Sequence, residues 1–290
     1  MEPLLALHEL ISQLIIPHRR HSSTTLINRL VADIWAVQLE LRSACLLDGI
    51  AISEEQAVQI ADGLKNVNFY VWCPYNSPNA LWFTALVITC LVNLVVLHQR
   101  LSSSTFICSR SLWKARYDPA WWKPICIDLS STPPQIASSL DHIPQPVMCA
   151  LKTCETSGQL QTSNRVVVEL QPASTLVSLA GLFLGYPCTY CNCSTNQIVA
   201  GPLKVVQVDL LQLNPSAEKL PGILPSRHQL MAFTFPAAFD YPGSPLELED
   251  LIKRLKHQIE QKLRSAGCSY GWEGVEINVE QTVDIERVAL

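Results

Sequence analysis

The sequence predicts an α+β protein, a mixed and largely antiparallel sheet packed with several helices. Three observations lead there. Strand-like runs gather in the second half, at Arg165–Leu170, Leu203–Leu211 and Gln229–Phe235, each rich in β-branched or aromatic residues. A long amphipathic stripe follows them: Leu248, Leu251, Ile252, Leu255, Ile259 and Leu263 recur at helical spacing. Between these lies Thr175–Leu184, uncharged and apolar on all sides, which must be buried on several sides to be stable. Strands grouped before a long helix favour α+β over a strictly alternating parallel fold.

The elements can be justified in order. Leu4, Leu7, Ile11 and Leu14 share one helical face, with Pro3 near the start and Pro17 as the stop. A second helix over 24–42 keeps the 3.6-residue period through Leu26, Ile27, Leu30, Val31, Ile34, Val37 and Leu41. Ala44–Asp48 reads as a short buried strand, Gly49 turns the chain, and Ser53 with Gln56 forms a capping box for a helix to about Lys65. Val67–Cys73 is a further strand candidate. Residues 100–123 read as irregular and Trp-rich. Pro124–Leu129 reads as a strand, the Ser/Pro-rich stretch 130–146 as an internal boundary candidate, and Val147–Lys152 as another strand. Gly185 and Pro187 end the apolar helix. Ser244-Pro245-Leu246-Glu247 has the pattern of a helix start, with a cap, a proline at N1 and an acid at N3. Gly267 is placed to stop that helix, and Trp272–Val279 supplies a last strand. No internal repeat is visible, and residues 1–290 are expected to form a single domain.

Ala80–Leu97 (ALWFTALVITCLVNLVVL) stands apart, because it carries no formal charge over a length at the threshold for a membrane span. Its Leu, Val, Ile and Phe residues contribute roughly -3 to -7 kcal/mol toward insertion, opposed by Asn93, Thr84 and Thr89. Arg100, Arg110, Lys114 and Arg116 follow it, so a span would place the C-terminal side in the cytosol. Its many β-branched residues equally suit a strand or core element buried in a large domain, or an atypical insertion.

Composition narrows the function classes. Only 16% of residues are charged while 48% are hydrophobic, which argues for extensive burial and against extended disorder. A net charge of -4 offers no basic footprint for phosphate backbones, so no nucleic acid is expected. Eleven cysteines would suit a disulfide framework, but Cys45, Cys90, Cys126 and Cys149 sit inside apolar runs where free thiols behave as small hydrophobes. With Glu9 interrupting the first apolar stretch and no positive n-region, the expectation is a reducing compartment and a cytoplasmic location.

Candidate chemistry is sparse. Cys188, Cys191 and Cys193 are thiol ligands of a type that zinc takes, but a tetrahedral site needs a fourth. A cysteine-rich strand or turn is the plainer reading. Asp48, Asp128 and Asp209 sit in or just after strands, where carboxylates act as general bases or, more commonly, cap the next turn. His228 reads as a loop histidine. No P-loop, G-x-S-x-G, H-E-x-x-H or G-x-G-x-x-G occurs.

Three stretches carry a resemblance: Leu41–Asp48 (LRSACLLD), Leu176–Tyr190 (LVSLAGLFLGYPCTY) and Pro202–Val206 (PLKVV). Together the chain resembles an uncharacterised eukaryotic domain-of-unknown-function family named after an open reading frame on human chromosome one. The resemblance implies no reaction, ligand or catalytic residue, and Ala80–Leu97 departs from its pattern. The expected role is accordingly a binding or interaction module with no cofactor; its partner is left open, a protein being one candidate and a membrane, through Ala80 to Leu97, another. One alternative is a single-pass membrane protein held through Ala80 to Leu97, with a cytosolic C-terminal domain. Another is an enzyme using Asp48 or Asp128 in a cleft.

Overall fold

The structure is a computed structural model that describes residues 3–15, 24–47, 52–66, 94–99, 104–115, 124–137, 148–149, 165–168, 175–191, 201–212, 223–266 and 271–281. In chain order the elements are α1 (Pro3–Ile15), α2 (Thr24–Gln38), β1 (Ala44–Leu46), α3 (Glu54–Asn66), β2 (Leu94–Gln99), β3 (Ser104–Ser109), α4 (Arg110–Ala115), β4 (Ile125–Asp128), β5 (Gln135–Ile136), β6 (Arg165–Val168), α5 (Thr175–Leu184), β7 (Cys188–Cys191), β8 (Leu203–Leu211), β9 (Arg227–Pro236), α6 (Leu248–Ala266) and β10 (Gly274–Gln281). The fold is α+β with three mostly antiparallel sheets, in the orders β1-β3-β2-β6, β5-β4-β7 and β10-β8-β9. Among the described residues only β2–β6 and β4–β7 run parallel.

Helix boundaries follow local chemistry. Leu4, Leu7 and Ile11 of α1 are buried, as their spacing predicts. The capping box at α3 forms in full: the Gln56 amide donates to Ser53 Oγ at 3.2 Å, and the Ser53 amide donates to Gln56 Oε1 at 2.9 Å. α2 ends four residues earlier than periodicity predicts. Glu40 takes a left-handed conformation (φ 58°), its amide bonds Val37 O, and the Leu41 amide reaches back to Ala36 O. This is a Schellman closure with a glutamate where glycine is usual. α6 starts three residues later than predicted, at Leu248 and not Pro245. Ser244 Oγ does accept from the Leu246 amide and Glu247 does accept from the Gly243 amide, but that turn does not run on as helix. Asp240 instead caps α6, accepting from the Leu248 amide at 2.9 Å.

The sheet β1-β3-β2-β6 alternates between two interiors, as a strand period of two demands. Cys45, Val96 and Ile107 face a larger core built with α1, α2 and α3 and extending to β8, β9, α6 and Trp272. Ala44, Leu97, Phe106 and Cys108 face a smaller core completed by α5, Cys126 and Cys191. Phe183 of α5 stacks at a tilt on Phe106, with ring centroids 5.5 Å apart, and full burial of such a ring stabilises by roughly 1.5–3 kcal/mol. Gly181 lets α5 lie directly on β7, since a Cβ there would sit 2.7 Å from Thr189 Cβ. Gly185 (φ 72°) ends α5, and Ser43 Oγ satisfies the freed Phe183 carbonyl at 2.6 Å.

Several expectations are corrected. Leu94–Leu97, the end of the uncharged run, belongs to β2, which is hydrogen-bonded to β3 on one side and β6 on the other. Leu94, Val96 and Leu97 are buried. A strand paired on both sides satisfies its backbone through neighbours, so these residues do not close a spanning helix. Among the described residues no helix is long and apolar enough to cross a membrane; residues 80–93 lie outside them. The stretch read as irregular contains β3, the strand between β1 and β2, and α4. Its tryptophans masked the apolar core of STFICS. Met148 and Cys149, expected in a strand, are helical. Within the boundary candidate β5 pairs with β4, and residues 138–146 lie outside the described residues. The strand candidate Val67–Cys73 lies outside the described residues.

Candidate functional site

A polar cluster is buried where α2 and β1 meet β9. The closure at Glu40 brings Arg42 back beneath α2. Its Nε donates to Ala44 O at 2.6 Å, and Nη1 donates to Leu230 O at 2.7 Å and to Asp33 Oδ1 at 3.3 Å. Asp33 projects from α2 one turn beyond Arg29, whose Nε stands 3.9 Å from Oδ2. Leu230 is the extra residue of a bulge: Val208 pairs with Met231 while Asp209 pairs with Gln229. A bulged residue is left out of the ladder, and here its carbonyl takes the guanidinium.

His228, expected in a loop, is instead a buried residue of β9. Its ring stacks on Trp272 at 5.2 Å, and Trp272 Nε1 donates to Pro225 O at 3.3 Å. His228 Nε2 lies 3.4 Å from Asp33 Oδ1 without hydrogen-bond geometry. Relative exposures of 6% for Asp33, 8% for Arg42 and 4% for His228 put the cluster beyond a substrate's reach in this conformation. Its chemistry is to neutralise and anchor. Beside it the Cys45 thiol is held protonated, first by burial and then by the Asp33 carboxylate. On the other side of the turn Ser111 donates to Glu40 Oε1.

The thiols divide between two faces. Cys188 lies in the larger core and Cys191 in the smaller one, as residues three apart on one strand must. Cys188 Sγ donates to Thr234 O at 3.6 Å, beside Tyr190 Oη, which donates to the same carbonyl at 3.0 Å. Burial pushes the Cys188 thiol up to about 12. Cys191 hydrogen-bonds Cys126, which lowers the Cys126 pKa and raises that of Cys191. Among the described residues no group of three or more His, Cys, Asp or Glu side chains is arranged to hold a metal; Cys193 lies outside them.

The carboxylates do not converge. Asp128 Oδ1 accepts from the Ser130 amide at 2.8 Å, a turn-capping role. Asp48 lies outside the described residues. Asp209 is buried under Arg227, whose Nη2 and Nε approach its Oδ2 at 2.7 and 2.8 Å, and Gln207 Nε2 donates to both its oxygens. Arg227 Nη1 also meets Glu276 Oε2 at 3.2 Å, so one half-exposed cation ties β8, β9 and β10 across the outer face of their sheet. The Asp209 hydrogen bond raises the Arg227 pKa.

Asp33, Arg42 and the Arg227–Glu276 pair were not singled out from sequence, and Cys126 was read only as a buried thiol. Asp33 had a signal, as an acid in the apolar run Leu30–Val37. Arg42 had none, because its partners Ala44 O and Leu230 O are backbone groups set by the fold.

A family model described as "Domain of unknown function (DUF4504)" matches residues 12–290, so the chain belongs to that family. No curated protein and no solved structure matches it.

Proposed function

We propose, for a member of a family whose description carries no activity, that this protein is a binding module and not a catalyst. The observation that carries the reading is the commitment of Arg42 and of the described carboxylates to structural partners. Arg42 and Asp33 join β9 to α2, Asp209 is closed by Arg227, and Asp128 holds a turn. Catalytic groups need a reacting atom within hydrogen-bond reach and a shared cleft, and these carboxylates point into separate structural roles. What the arrangement supports is a rigid sheet with α6 behind it, a platform for a partner.

We further infer one domain over 1–290, supported by a core that runs from Leu4 to Trp272. Cys45, Cys126, Cys188 and Cys191, buried cysteines in no disulfide among the described residues, support a reducing, cytoplasmic setting. The three sequence stretches noted above support a eukaryotic source and the family named after the chromosome-one reading frame.

The test is the state of the tagged full chain drawn from cells under native conditions. Size-exclusion chromatography with light scattering is expected to find it in a defined complex above its own 32.2 kDa, unchanged by Asp128→Asn. A lone 32.2 kDa species, or loss of the complex with Asp128→Asn in a folded protein, overturns the reading.

A further inference from the structure

Resting on the binding-module reading, we propose that β10 is the docking edge, and that it takes an extended segment of a partner protein with Lys or Arg at alternate positions. β10 pairs with β8 over eight residues in unbroken register, Gly274↔Leu211 to Gln281↔Lys204, and among the described residues no strand lies on its other side. An edge of this kind offers a row of backbone donors and acceptors to an added strand. Proteins usually blunt such edges with proline, lysine or a bulge. β10 (GVEINVEQ) has no proline or lysine and its register shows no irregularity; its only charges are Glu276 and Glu280, which oppose an anionic strand and admit a cationic one.

Its two faces then select the partner. Val275, Ile277 and Val279 pack against the larger core. Glu276, Asn278 and Glu280 lie on the opposite face by strand alternation, with Asn278 and Glu280 exposed. Arg227 neutralises Asp209 and reaches Glu276 at one end of this face. Glu280, four residues along, is an exposed carboxylate next to where an added strand would lie. A second copy of β10 is the poorer occupant. Pairing two such strands with their apolar sides matched places four glutamates on one face, and antiparallel pairing about Asn278 sets Glu276 directly opposite Glu280, a destabilising arrangement. A strand with cations at alternate positions and apolar residues between them meets both faces.

The probe is a capped nine-residue peptide of alternating valine and lysine, with a valine–glutamate peptide as control, added to the full-length protein. Hydrogen exchange of the β10 amides is read by mass spectrometry, and affinity by fluorescence anisotropy. The lysine peptide is expected to slow exchange in β10 at least tenfold and to leave α3 unchanged. Glu276→Gln with Glu280→Gln is expected to weaken its binding about tenfold, the scale of two rim ion pairs. Equal protection by the glutamate peptide, no protection by the lysine peptide, or binding indifferent to the double substitution overturns the proposal. So does protection that rises with protein concentration alone, which would make a second copy the occupant, or a β10 already slow in the free monomer. If the native complex exists but its partner cross-links away from β10, the binding-module reading stands and this inference falls.

Discussion

β9 and β10 are the two edge strands of one three-stranded sheet, ten and eight residues long, and they meet different surroundings. The outer carbonyls of β9 are taken by side chains from elsewhere in the chain: Arg42 at Leu230, and Tyr190 with Cys188 at Thr234. Among the described residues no backbone ladder joins β9 to the other two sheets. These bonds stitch three sheets without making one. β10 receives no comparable stitching among the described residues, and what it presents is carboxylates. An edge satisfied by long polar side chains becomes interior, whereas an edge left with its own backbone groups stays a surface with a sequence-defined charge.

That contrast can be broken at β9 first. Arg42→Ala strips the Leu230 and Ala44 carbonyls of their donor and leaves Asp33 buried without its guanidinium. Loss of one partner from a buried pair costs about 3–5 kcal/mol, to be read as a fall in urea midpoint at constant m-value. Arg42→Met combined with Asp33→Leu should cost less than Arg42→Ala alone, because no charge is stranded. A double variant as unstable as the single one would show that the pair positions β9 by shape and not by charge.

The Cys188 stitch gives a pH dependence. Its folded-state pKa of about 12 stands above the ordinary 9.0, so the folded protein holds this proton more tightly than the unfolded chain. The resulting stability is fully present below about pH 9 and is lost as pH rises toward about 12, with a slope of at most about 1.4 kcal/mol per pH unit from one group. Denaturation at a series of alkaline pH values should show a shallower decline in Cys188→Ala than in the parent. Parallel declines would place Cys188 in water.

Tyr190→Phe removes one hydrogen bond to Thr234 O while keeping the ring, and should cost about 1 kcal/mol. The smallest effect belongs to the other edge. Asn278→Lys on β10 should change stability by less than about 0.5 kcal/mol, and it would set a cation between Glu276 and Glu280. A large loss there would mean that β10 is packed and not presented, and the comparison of edges would fail.

Elements whose determinants are local were legible in the sequence. The Ser53–Gln56 box, the span of α5 with its Gly185 stop, and the full length of β8 each follow from a few neighbouring residues. β3 was missed because its six residues lie in a Trp-rich setting and its burial on both faces removes the alternation that marks a half-exposed strand. The end of α2 and the start of α6 were displaced by contacts distant in sequence or by strain. Glu40 in a left-handed turn is one, and Asp240, eight residues before Leu248, is the other. Of the candidate chemistry, the cysteines and carboxylates were visible as residue types, but their partners were not. Asp209 meets Arg227 and Cys188 meets Thr234 only because strands far apart in the chain are neighbours in space.

By itself the sequence determined an α+β chain with a large apolar interior, since periodicity and composition are properties of short windows and report which side chains leave water. It also determined that no familiar catalytic motif is present. Which edge of the C-terminal sheet is sealed and which is offered was decided by tertiary structure alone. The choice depends on whether a donor such as Arg42 arrives within 3 Å of a carbonyl 188 residues away, and hydrogen bonds form at distances that only the folded chain defines.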